Sequence, residues 1–238
     1  MVFGLVIYLT SPILMNITKS LSVFASQSLI AELCDSYGSD KGTATGNNRF
    51  VSGWQYHDYA SIYEMFFGSI RFEVKSVLEV GIGTNDPEIP SSMGVTGSPG
   101  ASLRVWEDYF SDAEVIGIDI DDKILFKEGR ITTFQCDQTD PISIGKFFKN
   151  CHVKSFDIII DDGLHTQEAA SVFFENAWGR LEPYGMYFIE DAAWWNGGEI
   201  DFLEDKKVKY FCFSDLVKTG VEAPTNSQWN KLILILKC

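Results

Sequence analysis

Phe156-Asp157-Ile158-Ile159-Ile160 runs directly into Asp161-Asp162-Gly163-Leu164-His165, and Met186-Tyr187-Phe188-Ile189 runs into Glu190-Asp191. Short β-branched and aromatic runs bounded by glycine and polar residues read as buried strands of a parallel sheet. Ligands of open α/β sheets bind outside the carboxyl ends of such strands. Asp161, Asp162, Glu190, Asp191 and His165 are therefore expected on one rim. Like charges a few ångströms apart raise one another's pKa, so four carboxylates call for a compensating cation. A divalent ion supplies it most simply, and an oxygen-rich donor set favours magnesium or manganese over zinc.

The same alternation continues on both sides of these runs. Val74 to Val80, Val115 to Ile120, Thr132 to Cys136, Val208 to Phe213 and Lys231 to Leu236 read as further strands. Ser102 to Phe110, Ile142 to Asn150 and Thr166 to Leu181 read as helices between them. Strands alternating with helices predict an α/β fold, a doubly wound, mostly parallel sheet of seven strands. No long helical pattern separates the last two strands, so the last is expected to run antiparallel, as a hairpin at the sheet edge. Upstream, Ser28 to Tyr37 has helical spacing, Gly38 to Asn48 is turn chemistry, and the aromatic-rich Trp54 to Phe67 reads as another helix. The Gly-, Pro- and Ser-rich span Pro87 to Ala101 is an insertion after the first strand, expected to be a mobile loop over the site.

The organisation that follows is an apolar N-terminal extension, 1–30, and one domain, 31–238. Within that domain, 31–70 is a helical or lid segment and 74–238 the doubly wound core. Met1 to Met15 lacks a basic leader region and is too short to span a bilayer, so no firm membrane association is expected. A formal net charge of −14 argues against a nucleic-acid partner, because neutralising phosphates needs a basic face. The partner is expected to be a small molecule. Cys34, Cys136, Cys151, Cys212 and Cys238 form no CxxC pair, and their odd count fits reduced thiols and a cytoplasmic location better than a disulfide framework. None is read as catalytic.

Ser76-Val77-Leu78-Glu79-Val80-Gly81-Ile82-Gly83-Thr84 is a strand entering a Gly-x-Gly turn, where absent side chains let a ligand approach the backbone. The third glycine of the dinucleotide fingerprint is missing, which disfavours a phosphate cradle and a nicotinamide cofactor. Asp119 ends the next strand, where it can accept hydrogen bonds from ribose hydroxyls. Asp137 ends the one after, where it or Gln138 can meet an adenine edge. Such an order binds an adenosine without a phosphate, as S-adenosylmethionine requires. Turn, strand-end and capping roles are the structural alternatives for these residues, and His165 also stands where a helix cap would.

Glu79-Val-Gly-Ile-Gly83, Ser102-Leu-Arg-Val-Trp106, Gly117-Ile-Asp-Ile-Asp121, Asp137-Gln-Thr-Asp140, Asp161-Asp-Gly-Leu-His165 and Ile189-Glu-Asp191 together resemble the class I S-adenosylmethionine-dependent methyltransferases. More narrowly, they resemble the metal-dependent macrolide-sugar (mycinamicin and macrocin type) and rhamnosyl O-methyltransferases and the cephalosporin hydroxylase-like group. Tyr37-Gly-Ser-Asp-Lys-Gly42, His57-Asp-Tyr59 and Tyr63 are similar to that group's N-terminal segment. The resemblance covers roughly Leu33 to Lys237. It implies a Rossmann-like fold and a cofactor site built from Glu79, Gly81, Gly83, Asp119, Ile120, Asp137, Gln138 and Asp161. It implies Asp162, Glu190 and Asp191 as ligands of magnesium or manganese, and His165 as the catalytic base. Leu164 departs from the commoner serine, and Ala192-Ala193-Trp194-Trp195 is less polar than the family pattern.

The activity implied is methyl transfer to a hydroxyl of a sugar or glycosylated small molecule. A hydroxyl is a weak acid, so a nearby ion and a histidine, the side chain that exchanges a proton near neutrality, are the natural activators. Trp54, Tyr56, Tyr59, Trp194 and Trp195 can stack on apolar sugar faces or pack a lid; Tyr59, Trp194 and Trp195 are the candidates carried forward for acceptor binding. His57 reads as a loop residue. A phenol, carboxylate or phosphoryl-type acceptor, or a binding module without catalysis, are the competing readings, and homo-oligomerisation stays open.

Overall fold

The computed structural model describes residues 5–6, 28–42, 59–95, 97–197, 199–204, 208–213 and 231–237. Most of the apolar extension, together with Trp54, Tyr56 and His57, lies outside the described residues. In chain order the elements are β1 (Leu5–Val6), α1 (Leu29–Tyr37), α2 (Ala60–Phe67), β2 (Ser76–Val80), α3 (Ala101–Tyr109), β3 (Glu114–Asp119), β4 (Lys127–Glu128) and β5 (Ile131–Gln135). Then come α4 (Pro141–Asn150), β6 (Phe156–Asp161), α5 (Gln167–Ala177), β7 (Leu181–Ile189), α6 (Asp201–Glu204), β8 (Lys209–Phe213) and β9 (Leu232–Leu236).

The strands form one sheet in the order β1-β8-β9-β7-β6-β2-β3-β5-β4. The seven predicted strands are all present, and β1 and β4 add two residues each at opposite edges. Parallel pairing joins β5 to β3, β3 to β2, β2 to β6 and β6 to β7. As expected, the last strand is antiparallel, but it does not lie at the edge: β9 inserts between β7 and β8 and pairs with both. Composition permits the interior place without choosing the neighbours. Leu232-Ile-Leu-Ile-Leu236 is apolar on both faces and needs a neighbour on each side, whereas β8 opens with the exposed Lys209.

Period-two alternation sorts the side chains of each strand into two cores. Leu78, Ile159 and Tyr187 pack with Phe147, Phe173 and Phe174 of α4 and α5 on one face. Val77, Ile158 and Phe188 pack with Tyr63 and Phe67 of α2 and Trp106 of α3 on the other. Helix ends follow local chemistry: Ser28 caps α1 and Gly38, at φ 77°, terminates it, while Asp140 caps α4 ahead of Pro141. The insertion expected to be a mobile loop is stitched back onto the glycine turn. Met93 N–H donates to the Thr84 carbonyl, Gly100 N–H to that of Ile82, and Asn85 Nδ2 to those of Gly94 and Gly97. Among the described residues no helix is long and apolar enough to cross a membrane.

Strand order reverses at β2, whose neighbours are β3 on one side and β6 on the other. Register sets Val80 beside Asp161 and Asp161 beside Ile189. The glycine turn, the Asp161-Asp162 pair and the Glu190-Asp191 pair therefore leave three adjacent strands at one level, at the switch point where such sheets bind ligands.

Candidate active site

Gly81 and Gly83 both have positive φ, 79° and 82°. A Cβ on Gly81 would lie 2.2 Å from the Asp162 carbonyl oxygen, so this glycine lets the loop after β6 close onto the turn after β2. A Cβ on Gly83 would meet the Met93 thioether at 2.3 Å. Asp119 fastens the turn to the end of β3: its Oδ2 accepts from Ile82 N–H at 2.9 Å and its Oδ1 from Asp121 N–H at 3.0 Å. Burial pushes its carboxyl above the usual range. Beside it, exposed Ile120 shares a cavity of about 520 Å³ with Phe134, Gln135, Asp137, Lys146 and Phe147. An apolar side chain flanked by a carboxylate at two adjacent strand ends fits a flat heteroaromatic base.

Gln138 and Asp161 stand behind the acidic loop. Gln138 Oε1 accepts from Leu164 N–H at 2.7 Å, and its Nε2 donates to Asp161 Oδ1 at 3.1 Å. Tyr187 donates its hydroxyl to Asp161 Oδ2 at 3.3 Å. The Asp161 carboxyl is 3% exposed, and burial pushes it up to about 6. Glu79, fully buried, accepts from Trp106 Nε1 at 2.7 Å.

Asp162, His165 and Asp191 converge, each offering a donor atom within 4.8 Å of the others. His165 and Asp191 are held at φ 57° and 48°, a left-handed backbone that costs a non-glycine residue roughly 1–3 kcal/mol and concentrates at functional sites. His165 Nδ1 is buried with no hydrogen-bond partner among the described residues. The two carboxylates of this group are the hard oxygen donors that a divalent ion of the magnesium or manganese kind takes. His165 is not the cap of α5; Thr166 is, its Oγ1 accepting from Ala169 N–H at 3.2 Å.

Glu190 is not in that convergent set. It is 1% exposed, and its oxygens accept from the Tyr63 hydroxyl and, at 2.8 Å, from Lys41 Nζ. Lys41 also pairs with Asp162 and, at 3.4 Å, with Glu79. Burial alone would push Lys41 down, but Asp162, Glu190 and Glu79 hold it well above the usual lysine range; burial pushes those three carboxyls up. Tyr59, also fully buried, donates its hydroxyl to Asp191 Oδ1 at 2.5 Å. Trp195 is 7% exposed, and half-buried Trp194, against Phe202, has a buried indole N–H without a hydrogen-bond partner among the described residues. Sequence reasoning assigned no role to Lys41 or Tyr63. Their one signal was membership of the Tyr37–Gly42 and Tyr59–Tyr63 motif, which carries no indication of what the side chains reach.

No family model matches the chain. It is 33% identical over 168 residues to 8-demethyl-8-alpha-L-rhamnosyl tetracenomycin-C 2'-O-methyltransferase of Streptomyces olivaceus, covering 70% of this chain and 39% of the relative. It is 36% identical over 144 residues to demethylmacrocin O-methyltransferase of Streptomyces fradiae, covering 59% and 34%. The chain thus spans well under half the length of these curated relatives. A solved methyltransferase of the mycinamycin biosynthetic pathway, in complex with Mg, SAH and mycinamycin VI, superposes with a TM-score of 0.56 at 26% identity, covering 79% of this chain and 50% of that one. The chain carries the class I methyltransferase fold and is, through that domain, a homologue of the sugar O-methyltransferases of macrolide and tetracenomycin tailoring.

Proposed function

We propose that this chain transfers the methyl group of S-adenosylmethionine to a hydroxyl of a sugar carried by a glycosylated small molecule, in a reaction that needs magnesium or manganese. The observation that carries the reading is the convergence of Asp162, His165 and Asp191 beside the glycine turn, in a chain whose relatives are named sugar O-methyltransferases. Asp119 would hold the ribose, Ile120 and Asp137 the adenine, and the Gly81–Gly83 backbone the amino-acid end. Glu79, Gln138 and Asp161 brace these loops from behind. Asp162 and Asp191 would hold the ion, with Glu190 fixed next to them. A small-molecule acceptor and a cytoplasmic setting belong to the same reading and agree with the net charge of −14.

When bound, the cofactor supplies an electrophilic sulfonium methyl and the ion a charge that makes an alcohol proton more acidic. Asp119 and the glycine turn fix the donor, so that the acceptor oxygen needs only to approach in line. His165, three residues beyond Asp162 on the same loop, takes the hydroxyl proton at a ring nitrogen as the oxygen attacks. Tyr59 holds Asp191 in place from the opposite layer.

The test is mass spectrometry of the purified protein with S-adenosylmethionine, magnesium and a panel of rhamnosyl- and deoxysugar-bearing aglycones. A product heavier by one methyl on the sugar, abolished by chelation and restored by magnesium, is expected. Methylation of simple catechols but of no glycoside, or full turnover in excess chelator, would overturn the reading.

A further inference from the structure

Thr84, just past β2, and Asp121, just past β3, are both buried. The Thr84 hydroxyl donates to Asp121 Oδ2 at 2.5 Å, and Asp121 Oδ1 accepts from Lys123 N–H at 3.0 Å. A buried carboxylate is costly unless hydrogen-bonded, so the hydroxyl has an energetic role. Each residue of this pair also reaches a second element of the site. Asp121 N–H donates to Asp119 Oδ1, while the Thr84 carbonyl accepts from Met93 N–H at 2.9 Å and from the Ser92 hydroxyl at 3.1 Å. One chain of hydrogen bonds thus runs from Asp119 through Asp121 and Thr84 into the insertion after β2. A second tie runs beside it, from Lys123 Nζ to Asp86 Oδ2 at 3.0 Å. At the far end of the insertion, a Cβ on Gly100 would lie 2.5 Å from the Phe126 ring, so the insertion is clasped to the segment after β3 at both ends.

We propose that Thr84 and Asp121 are positioning residues for the methyl donor: they join the insertion and the Asp119 carboxylate into one unit, so that binding at Asp119 and order in the insertion rise and fall together. This rests on the reading above that Asp119 holds the cofactor's ribose. Asp119 accepts from the Ile82 and Asp121 amides, and a carboxylate offers about four acceptor sites, so ligand hydroxyls add to those bonds without replacing them. The two amides set the direction of the carboxylate, and Thr84 in turn holds Asp121. Without the Thr84 hydroxyl, the buried Asp121 charge has to find another partner or turn toward water. Either movement carries its amide, and the Asp119 oxygen bonded to that amide, out of place.

Calorimetry and amide hydrogen exchange on the full chain, with S-adenosylhomocysteine as the probe, test this. Thr84→Val, which keeps the shape and removes the hydroxyl, should bind the probe about tenfold more weakly than the wild type. Thr84→Ser, which restores the hydroxyl, should bind within about threefold of the wild type. A Thr84→Val protein that melts lower yet binds the probe as the wild type does would reduce the bond to a structural one. That result would overturn the proposal while leaving the reading of Asp119 standing. No binding to the wild type would overturn both. The wild type alone gives a second decision that does not need Thr84→Val to fold. Bound S-adenosylhomocysteine should slow exchange of the Asp121 amide, which lies on Asp119, and of the Met93 amide, which lies on Thr84, by similar factors. Bound probe that leaves exchange at Met93 unchanged would show the insertion and the carboxylate to be independent, and would refute the coupling.

Discussion

At the scale of single residues, His165 joins a left-handed backbone to a buried ring nitrogen with no partner among the described residues, and its neighbour Thr166 does the capping. Replacing His165 with Ala should therefore leave cofactor affinity nearly unchanged in calorimetry and slow single-turnover methylation by about 10²–10⁴-fold. His165→Gly should be at least as stable as His165→Ala, by about 1 kcal/mol, because glycine adopts φ near 57° without steric cost. Asp161 makes a prediction of different kind. Burial raises its carboxyl from 3.8 to about 6, so the folded chain holds this proton more tightly than the unfolded chain does. The stability gained from protonated Asp161 is fully present below about pH 4 and is lost as pH rises through about 6. Asp161→Asn stays neutral and escapes that loss. Its advantage over the wild type in urea denaturation should grow between about pH 4 and pH 6, to at most roughly 3 kcal/mol, then level off.

At the scale of elements, the site depends on how closely the turn after β2 meets the loop after β6. Gly81 faces a backbone carbonyl, which cannot step aside, whereas Gly83 faces the flexible end of Met93. Both carry the positive-φ penalty, so alanine at either destabilises by about 1 kcal/mol or more. Gly81→Ala should cost at least about 1 kcal/mol more than Gly83→Ala, and should also displace Asp162. Shortening Met93 to Ala should recover the steric part of Gly83→Ala and nothing of Gly81→Ala. Chemical denaturation of the two single and two double variants separates these outcomes. The same logic explains the insertion after β2: its glycines and Asn85 serve close backbone contacts with the turn.

At the scale of the whole molecule, the helical layer of α1 and α2 shares a core with the sheet. Phe67 is fully buried with its ring against those of Tyr63, Trp106, Phe110 and Phe188. Because α2 also presents Tyr63 to Glu190, and Tyr59 precedes it, packing and site geometry are coupled. Phe67→Ala should cost about 3–5 kcal/mol of stability in urea and weaken Mn²⁺ binding as well. Metal should in turn stabilise the fold by mass action: millimolar magnesium should raise the melting temperature, and chelation should reverse it. Asp162→Ala and Asp191→Ala should each abolish that response, which thermal scanning with and without magnesium will read.

The sequence by itself determined the alternation of strands and helices, the Gly81–Gly83 turn, and the exit of Asp161-Asp162 and Glu190-Asp191 from strand ends. These are local properties: periodicity, chain length between breakers, and backbone conformations that glycine permits can be read from neighbouring residues. Tertiary structure alone decided where β9 lies, because an apolar strand can be placed by need for cover but not by which strands offer it. It also decided the partners of the charges. Lys41 reaches Asp162 across 121 residues of sequence and Glu190 across 149. Trp195 and Tyr59, aromatic enough to read as acceptor-binding, are enclosed for the same reason, since packing between layers sets exposure. Which charge a buried acid meets is fixed by the approach of distant elements in space, and spacing along the chain holds no record of it.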